Sequence, residues 1–442
     1  MNSIPHLILG DIITPTQAGQ SLLIKKGYVL IDGDSIIEVG EQAHLNQEIS
    51  YTVSNYPDHL ILPGLIDTHS HLSQYAICGA GDLPLMDWLN TLVFPAEAAF
   101  SSNLQRCQRY AELYMHACLG FGTTTINTMV TSSRQATEIV CDVAARIGIR
   151  AFIGLVLMDR NAPDHLLVDC DQAFKDLTVL KDRYHGKNNL HITVSPRFAV
   201  TCSATMLKQA GEFARANKLL LHTHLDKDEG FDELIQSLFS TAHDYFDVFE
   251  STQCIADKTV FAHGTLLSLH EMKRMGDYAG QVGISHCPSS NFSFAMGMAP
   301  VSFFKGLGIE VGLGSDSGGG DSLSLFDEMR SASFTNKALW RLDKKTALID
   351  AKSWLYHATL GGAKLLGLEK QIGSIETGKK ADLIILDDRN NYPLAELSSL
   401  SQELALDELQ YRLARVIARS CENKLVAVYI DGKKVYHSNH QA

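Results

Sequence analysis

The chain has 442 residues, 45% of them hydrophobic, enough to bury one large core and a smaller second one. Acidic residues outnumber basic ones by 50 to 38, and the net charge of −12 is spread along the chain, which excludes the basic faces that nucleic acids and anionic membranes require. The nine cysteines are odd in number, scattered and without a CxxC pair, so neither a disulfide framework nor a thiolate zinc site is indicated.

The opening MNSIPHLILGDIITPT has no basic leader and reads as a strand rather than a signal peptide. No apolar run reaches the ~18 residues of a membrane helix. The expectation is a soluble protein of the cytoplasm, with its cysteines reduced. Residues 1–58 continue as short apolar runs (HLILGDIIT, SLLIKKGYVLIDGDSIIEVG), with Gly27 and the DGD at 32–34 expected as hairpin turns. The same texture returns in GSIETGKKADLIILD (373–387) and KLVAVYIDGKKVYHS (424–438). Residues 1–58 and 372–442 therefore predict one small β-sandwich built from both termini, with a helical insertion at about 396–420. Between them, residues 59–371 carry eight β-type runs: LILPGLIDTHSH, TTTINTM, RAFIGLVLM, HITVSPRF, LLLHTHL, TVFAHGT, QVGISHCPSSN and IEVGLGSDSG. Amphipathic stretches such as SRQATEIVCDVAARIG alternate with them. The fold class predicted is α/β, a (β/α)8 TIM-type barrel.

Polar residues recur at the C-terminal ends of these runs: His69 and His71 on the first, His224 on the fifth, His263 on the sixth, Asp316 on the eighth. In a barrel that rim is the active-site face, and alternation along a strand turns His69 and His71 the same way. An HxH pair alone is weak evidence for metal, and a lone Asp in GSDSGGG is commonly a turn residue. Four strand ends in barrel order are a different matter, because imidazoles and one carboxylate suit a catalytic zinc or iron site. The fourth run ends in Ser195-Pro196-Arg197-Phe198, with no lysine to bridge two metals, which favours a single divalent ion. Such a centre activates water at neutral pH, and Asp316 can accept the proton. His222 reads as an ordinary neighbour on the opposite strand face, and His116, His185, His270, His357 and His437 as uninvolved.

These residues resemble the amidohydrolase superfamily and, within it, the guanine deaminases. PGLIDTHSHLSQY (63–75), DWLNTLVFPAEAAF (87–100), SPRF (195–198), AHG (262–264), SHCPSSN (285–291), GSDSGGG (314–320) and the C-terminal 407–435 carry the resemblance, in order, over nearly the whole chain. It implies that His69, His71, His224 and Asp316 hold one zinc, with iron the alternative, and that His263 polarises the reacting carbon. It implies that Gln74 and Arg197 bind the edge of a purine-like substrate, with Trp88 and Phe198 against its faces, and that the protein is a homodimer. A planar guanidinium fork and apolar walls are what a flat heteroaromatic ring needs.

The chain departs from the family pattern at one place. After the fifth run the family has His-x-x-Glu, whose Glu carries protons; here the residues are His224-Leu225-Asp226-Lys227. A cationic lysine donates and cannot accept. Four alternatives stand: Asp226, Asp228 or Glu229 supplies the carboxylate; a neutral Lys227 is the catalytic relay; Asp316 suffices alone; or the site binds without efficient turnover. The predicted activity is metal-dependent deamination of a purine-like ring, guanine first. The alternatives are a ring hydrolase acting on a pterin, another purine or a halogenated triazine, or an impaired homologue that keeps metal and purine binding.

Overall fold

The computed structural model describes residues 4–46, 50–80, 83–225, 231–344, 346–389 and 407–438, with only the backbone at 231 and 232. Eight parallel strands form the central sheet: β5 (Leu65–His71), β6 (Thr123–Met129), β7 (Arg150–Leu157), β8 (Leu190–Pro196), β9 (Leu221–Leu225), β10 (Thr259–His263), β11 (Val282–His286) and β12 (Glu310–Leu313). They are the eight runs expected, neighbours in space as in sequence. Every residue of β5, β6, β7, β9, β10 and β11 is buried, as befits a parallel sheet covered by helices outside and filled by side chains inside. β12 returns to β5 where the Thr68 hydroxyl donates to the Leu313 carbonyl at 2.8 Å and the Asp316 amide donates to the His69 carbonyl at 2.9 Å.

The surrounding helices begin at sharp caps. Asn103, Ser133, Asp169 and Ser203 each accept from the backbone N–H three residues on, opening the helices Leu104–Gly120, Arg134–Ile147, Cys170–Tyr184 and Ala204–Asn217. Such caps end the connecting loops at defined points, which holds the strand ends in one rim.

The chain ends build a second sheet from β1 (His6–Gln17), β2 (Gln20–Asp32), β3 (Ser35–Glu41), β4 (Thr52–Pro63), β13 (Leu383–Asp387), β14 (Lys424–Ile430) and β15 (Lys433–His437). The order is β15-β14-β13-β4-β1-β2-β3. Ile8, Ile12, Val29, Ile31, Leu383, Ile385 and Tyr429 share one core, so the sheet folds over its own face. A Cβ on Gly432, in the β14–β15 turn, would come within 2.7 Å of the Gly33 carbonyl in the β2–β3 turn. Gly33 is the turn residue expected, at φ 62°. Gly27 is not a turn: it sits inside β2 opposite Gly10, where a Cβ would lie 2.7 Å from Ile12 Cδ1. It is glycine because the neighbouring strand leaves no space.

The helix in the C-terminal segment spans Glu408–Ala418, and 396–406 lie outside the described residues. One buried ionic network ties sheet to barrel, and a second ties the C-terminal helix to the sheet. Arg150 at the start of β7 donates to Asp382 at 3.2 Å and to Asp431 at 2.9 Å. Arg412 donates to Asp388 at 2.9 and 3.0 Å and to Asp11 at 2.6 Å. All nine cysteines are free thiols. Among the described residues no helix is long and apolar enough to cross a membrane.

Candidate metal centre and ring-binding cleft

Strand alternation does the first part of the assembly. His69 and His71 on β5, and His222 and His224 on β9, project into the barrel, because residues two apart share a face. That corrects the placement of His222: it is fully buried beneath His69, with its Nε2 2.7 Å from His69 Nδ1. His263 is the last residue of β10, and Asp316 lies three residues beyond β12. Both have left-handed backbones, φ 73° and 45°, a conformation that costs non-glycine residues about 1–3 kcal/mol and persists where surroundings enforce it. Glycines make room beside them: a Cβ on Gly319 would stand 2.8 Å from Asp316 Oδ2.

Five side chains converge. Asp316 Oδ1 lies 3.0 Å from His69 Nε2 and 3.3 Å from His71 Nε2, and Asp316 Oδ2 is 3.9 Å from His263 Nε2. His71 Nε2 and His224 Nε2 are 3.1 Å apart. Single ligand atoms from His69, His224, His263 and Asp316 all fall within 4.8 Å of one another. The outer ring edges are held. His224 Nδ1 donates to the Arg197 carbonyl at 2.6 Å, and His263 Nδ1 to Asn291 Oδ1 at 2.8 Å. Ser290 donates its hydroxyl to Asp316 Oδ2 at 2.6 Å. Beneath, Asp67 accepts from the Ser315 hydroxyl at 2.5 Å and from the amides of Ser315 and His69 at 3.0 and 3.2 Å.

Burial dominates the electrostatics. It drives the His69 imidazole down to about 4 and His224 well below its ordinary value, so both are neutral near pH 7. Burial pushes the Asp316 carboxyl up, but hydrogen bonds from His69 and His71 and the electrostatic influence of the His69 and His263 rings outweigh it, leaving Asp316 well below the usual range and ionised. A carbonyl can only accept, so His224 Nδ1 carries the hydrogen and its Nε2 a lone pair; the Asn291 amide, with Oδ1 turned to His263 Nδ1, matches the same tautomer there.

Above the centre opens a small cleft. Leu85, Trp88, Leu89, Phe198, Phe294 and Met296 form apolar walls, while Gln74, Arg197 and the centre itself supply polar groups. The Trp88 indole packs on Phe294 with centroids 4.6 Å apart and donates to the Ala80 carbonyl at 2.8 Å. Behind the polar side lies Glu97, fully buried on the helix Phe94–Ser102. It accepts from Gln74 Nε2 at 2.9 Å and from an Arg197 N–H at 2.6 Å.

Residues 60–435 match the amidohydrolase family. The chain belongs to that family. It is a hydrolase of that family. It is 30% identical to guanine deaminase of Rattus norvegicus over 379 residues, covering 85% of this chain and 82% of the relative. The Escherichia coli guanine deaminase structure superimposes with a TM-score of 0.89 at 26% identity, over 99% of this chain and 100% of the other. A guanine deaminase from C. acetobutylicum with guanine bound in its active site gives 0.88 at 26% identity, over 98% and 100%.

In this amidohydrolase every expected site residue within the described regions except His69 borders the one cleft. His71, His224, His263 and Asp316 form its floor, with His69 buried against Asp316 beneath them, and Gln74, Trp88, Arg197 and Phe198 form its sides. Lys227, with Asp226, Asp228 and Glu229, lies outside the described residues. Glu97, Ser290, Asn291 and Phe294 were not singled out from sequence. Glu97 stood inside the FPAE motif and Ser290-Asn291 inside SHCPSSN, so the signal was present without a role attached. Phe294 carried none.

A divalent cation fits this donor set. The Nε2 atoms of His71 and His224 lie 3.1 Å apart, the His224 one bearing a lone pair, and the ionised Asp316 stands 3.3 Å from His71, so a positive charge between them satisfies the cluster. Neutral ring nitrogens and one carboxylate oxygen are ligands of a borderline ion rather than of calcium or magnesium.

Proposed function

We propose that this amidohydrolase hydrolytically deaminates guanine, giving xanthine and ammonia. One observation carries the reading: an imidazole–carboxylate centre and a polar edge made by Gln74 and Arg197 face the same apolar-walled cleft. Its relatives' activity toward guanine supports it. His69, His71, His224 and Asp316 would hold one divalent ion, zinc first and iron second, which when bound supplies Lewis acidity to activate water.

The chain's own residues do the rest. Trp88 and Phe198 hold the ring between apolar surfaces, while Gln74 and Arg197 fix its rotation in the plane. His263, aimed by Asn291, offers its Nε2 edge to the carbon that loses the amine. Asp316 accepts the proton from the attacking water and returns it to the departing nitrogen, with Ser290 holding its second oxygen. Excluding bulk water strengthens each of these contacts. Lys227 stands where the family has its proton-carrying Glu, so Asp316 bears a larger share of proton transfer in this reading. Free thiols throughout support a reducing cytoplasmic location. A homodimer is the assembly proposed, and light scattering tests it.

The deciding experiment follows guanine absorbance and ammonia release with zinc-loaded protein beside a Lys227→Glu variant. Turnover by the native protein at ordinary rates sustains the reading. An idle native protein with an active glutamate variant means a guanine site disarmed at one residue. Two idle, metal-loaded proteins overturn guanine as substrate and favour another ring, a pterin or halogenated triazine among them.

A further inference from the structure

We infer that Glu97 sets the hydrogen-bonding polarity of the cleft, so that Gln74 and Arg197 together read a lactam, a ring N–H beside a ring C=O. This rests on the cleft being a purine site. Glu97 does not itself line the cleft; it acts through two residues that do. One carboxylate oxygen, Oε1, receives both Gln74 Nε2 at 2.9 Å and an Arg197 N–H at 2.6 Å. A carboxylate paired with a guanidinium only accepts, so the Gln74 atom that faces it must be the amide nitrogen. The assignment of the amide, ordinarily ambiguous, is thereby decided by its partner.

The consequence falls on the other end of the amide. Gln74 Oε1 is buried and has no partner among the described residues. An unmet buried acceptor is costly, and a ligand N–H relieves it. Arg197 keeps further N–H groups beyond the one given to Glu97, and sits over the Phe94 ring, with the guanidinium carbon 5.6 Å from the ring centroid. An acceptor next to donors is the complement of a lactam. Gln74 turned the other way would present donors only and lose the distinction between a ring N–H and a bare ring nitrogen. Glu97 is therefore a positioning residue for substrate selection.

The test measures binding, not turnover, with two probes that carry no amine to lose. Hypoxanthine has the lactam; unsubstituted purine has the same rings without it. Calorimetry on the zinc-loaded full chain is expected to show hypoxanthine preferred at least about tenfold, the worth of one satisfied buried hydrogen bond. In Glu97→Gln the side-chain amide can donate to Gln74 and let it turn, so that preference is expected to fall about tenfold while purine affinity stays within about threefold. A merely structural role would weaken both probes alike. Gln74→Met, which leaves the Glu97–Arg197 pair intact, is expected to lose the same preference and serves if Glu97→Gln does not fold. Retention of the preference in either folded variant overturns the inference, as does its absence from the native protein. Guanine turnover is scored separately, so its failure beside a retained lactam preference strikes the reaction and not the role of Glu97.

Discussion

Away from the cleft, Arg150 at the seam between sheet and barrel and Arg412 between the C-terminal helix and the sheet are buried with carboxylates against their N–H groups, and each network closes on itself. At the barrel mouth, equally buried groups are left open: Gln74 Oε1, Glu97 Oε2, His71 Nδ1 and Asn291 Nδ2 have no partner among the described residues, and two imidazole Nε2 atoms stand 3.1 Å apart. The residue types overlap, so composition does not separate the two regions. Completeness of pairing does. Closed networks hold elements of the fold together; open ones keep hydrogen-bonding and ligating capacity for something that arrives later. The strained backbones at His263 and Asp316 belong to the open region, and the rigid barrel beneath sustains them.

The contrast can be broken from either side. Asp316→Asn strikes the open region hardest: kcat is expected to fall about 10³–10⁴-fold with the fold intact, since a carboxylate that both carries protons and ligates is lost. Steady-state kinetics with circular dichroism checks this, and an active Asn variant would contradict the assignment. At the seam the sign reverses. Arg150→Ala leaves Asp382 buried without its cation and is expected to cost about 3–5 kcal/mol in denaturant unfolding, with kcat of the folded fraction unchanged.

Acid should expose a third difference. His357 is buried, with its Nδ1 on the Val311 carbonyl at 2.7 Å, and burial lowers it from 6.5 to about 4. The unfolded chain therefore takes up that proton first. Stability is unaffected above pH 6.5, falls as pH drops from 6.5 towards 4, and levels off below. The loss is at most about 3 kcal/mol for this one residue. Melting curves across that window should be flatter for His357→Gln than for the native chain; equal slopes would refute the assignment. Burial raises the Asp67 carboxyl to about 7 and so acts in the opposite sense, which is why the difference between variants is the quantity to read.

The smallest effect expected is at Ser290. Ser290→Ala removes one hydrogen bond to Asp316 Oδ2 and should lower kcat about tenfold with KM nearly constant.

Sequence alone determined the alternation of strand and helix, the eight strands and their order, and which ends bear histidine and aspartate. Those follow from local periodicity and from the rule that a parallel barrel presents its strand ends on one rim. His69, His71, His224, His263 and Asp316 were legible for that reason. Tertiary structure alone decided that Gly27 lies within a strand, because the obstacle is Ile12 on the neighbouring strand. It decided that His222 lies under His69, and that Glu97 joins Gln74 to Arg197 across 23 and 100 residues of chain. Partners this distant leave no periodic trace. A hydrogen bond depends on where two groups meet in space, and for these residues the closed barrel sets that position.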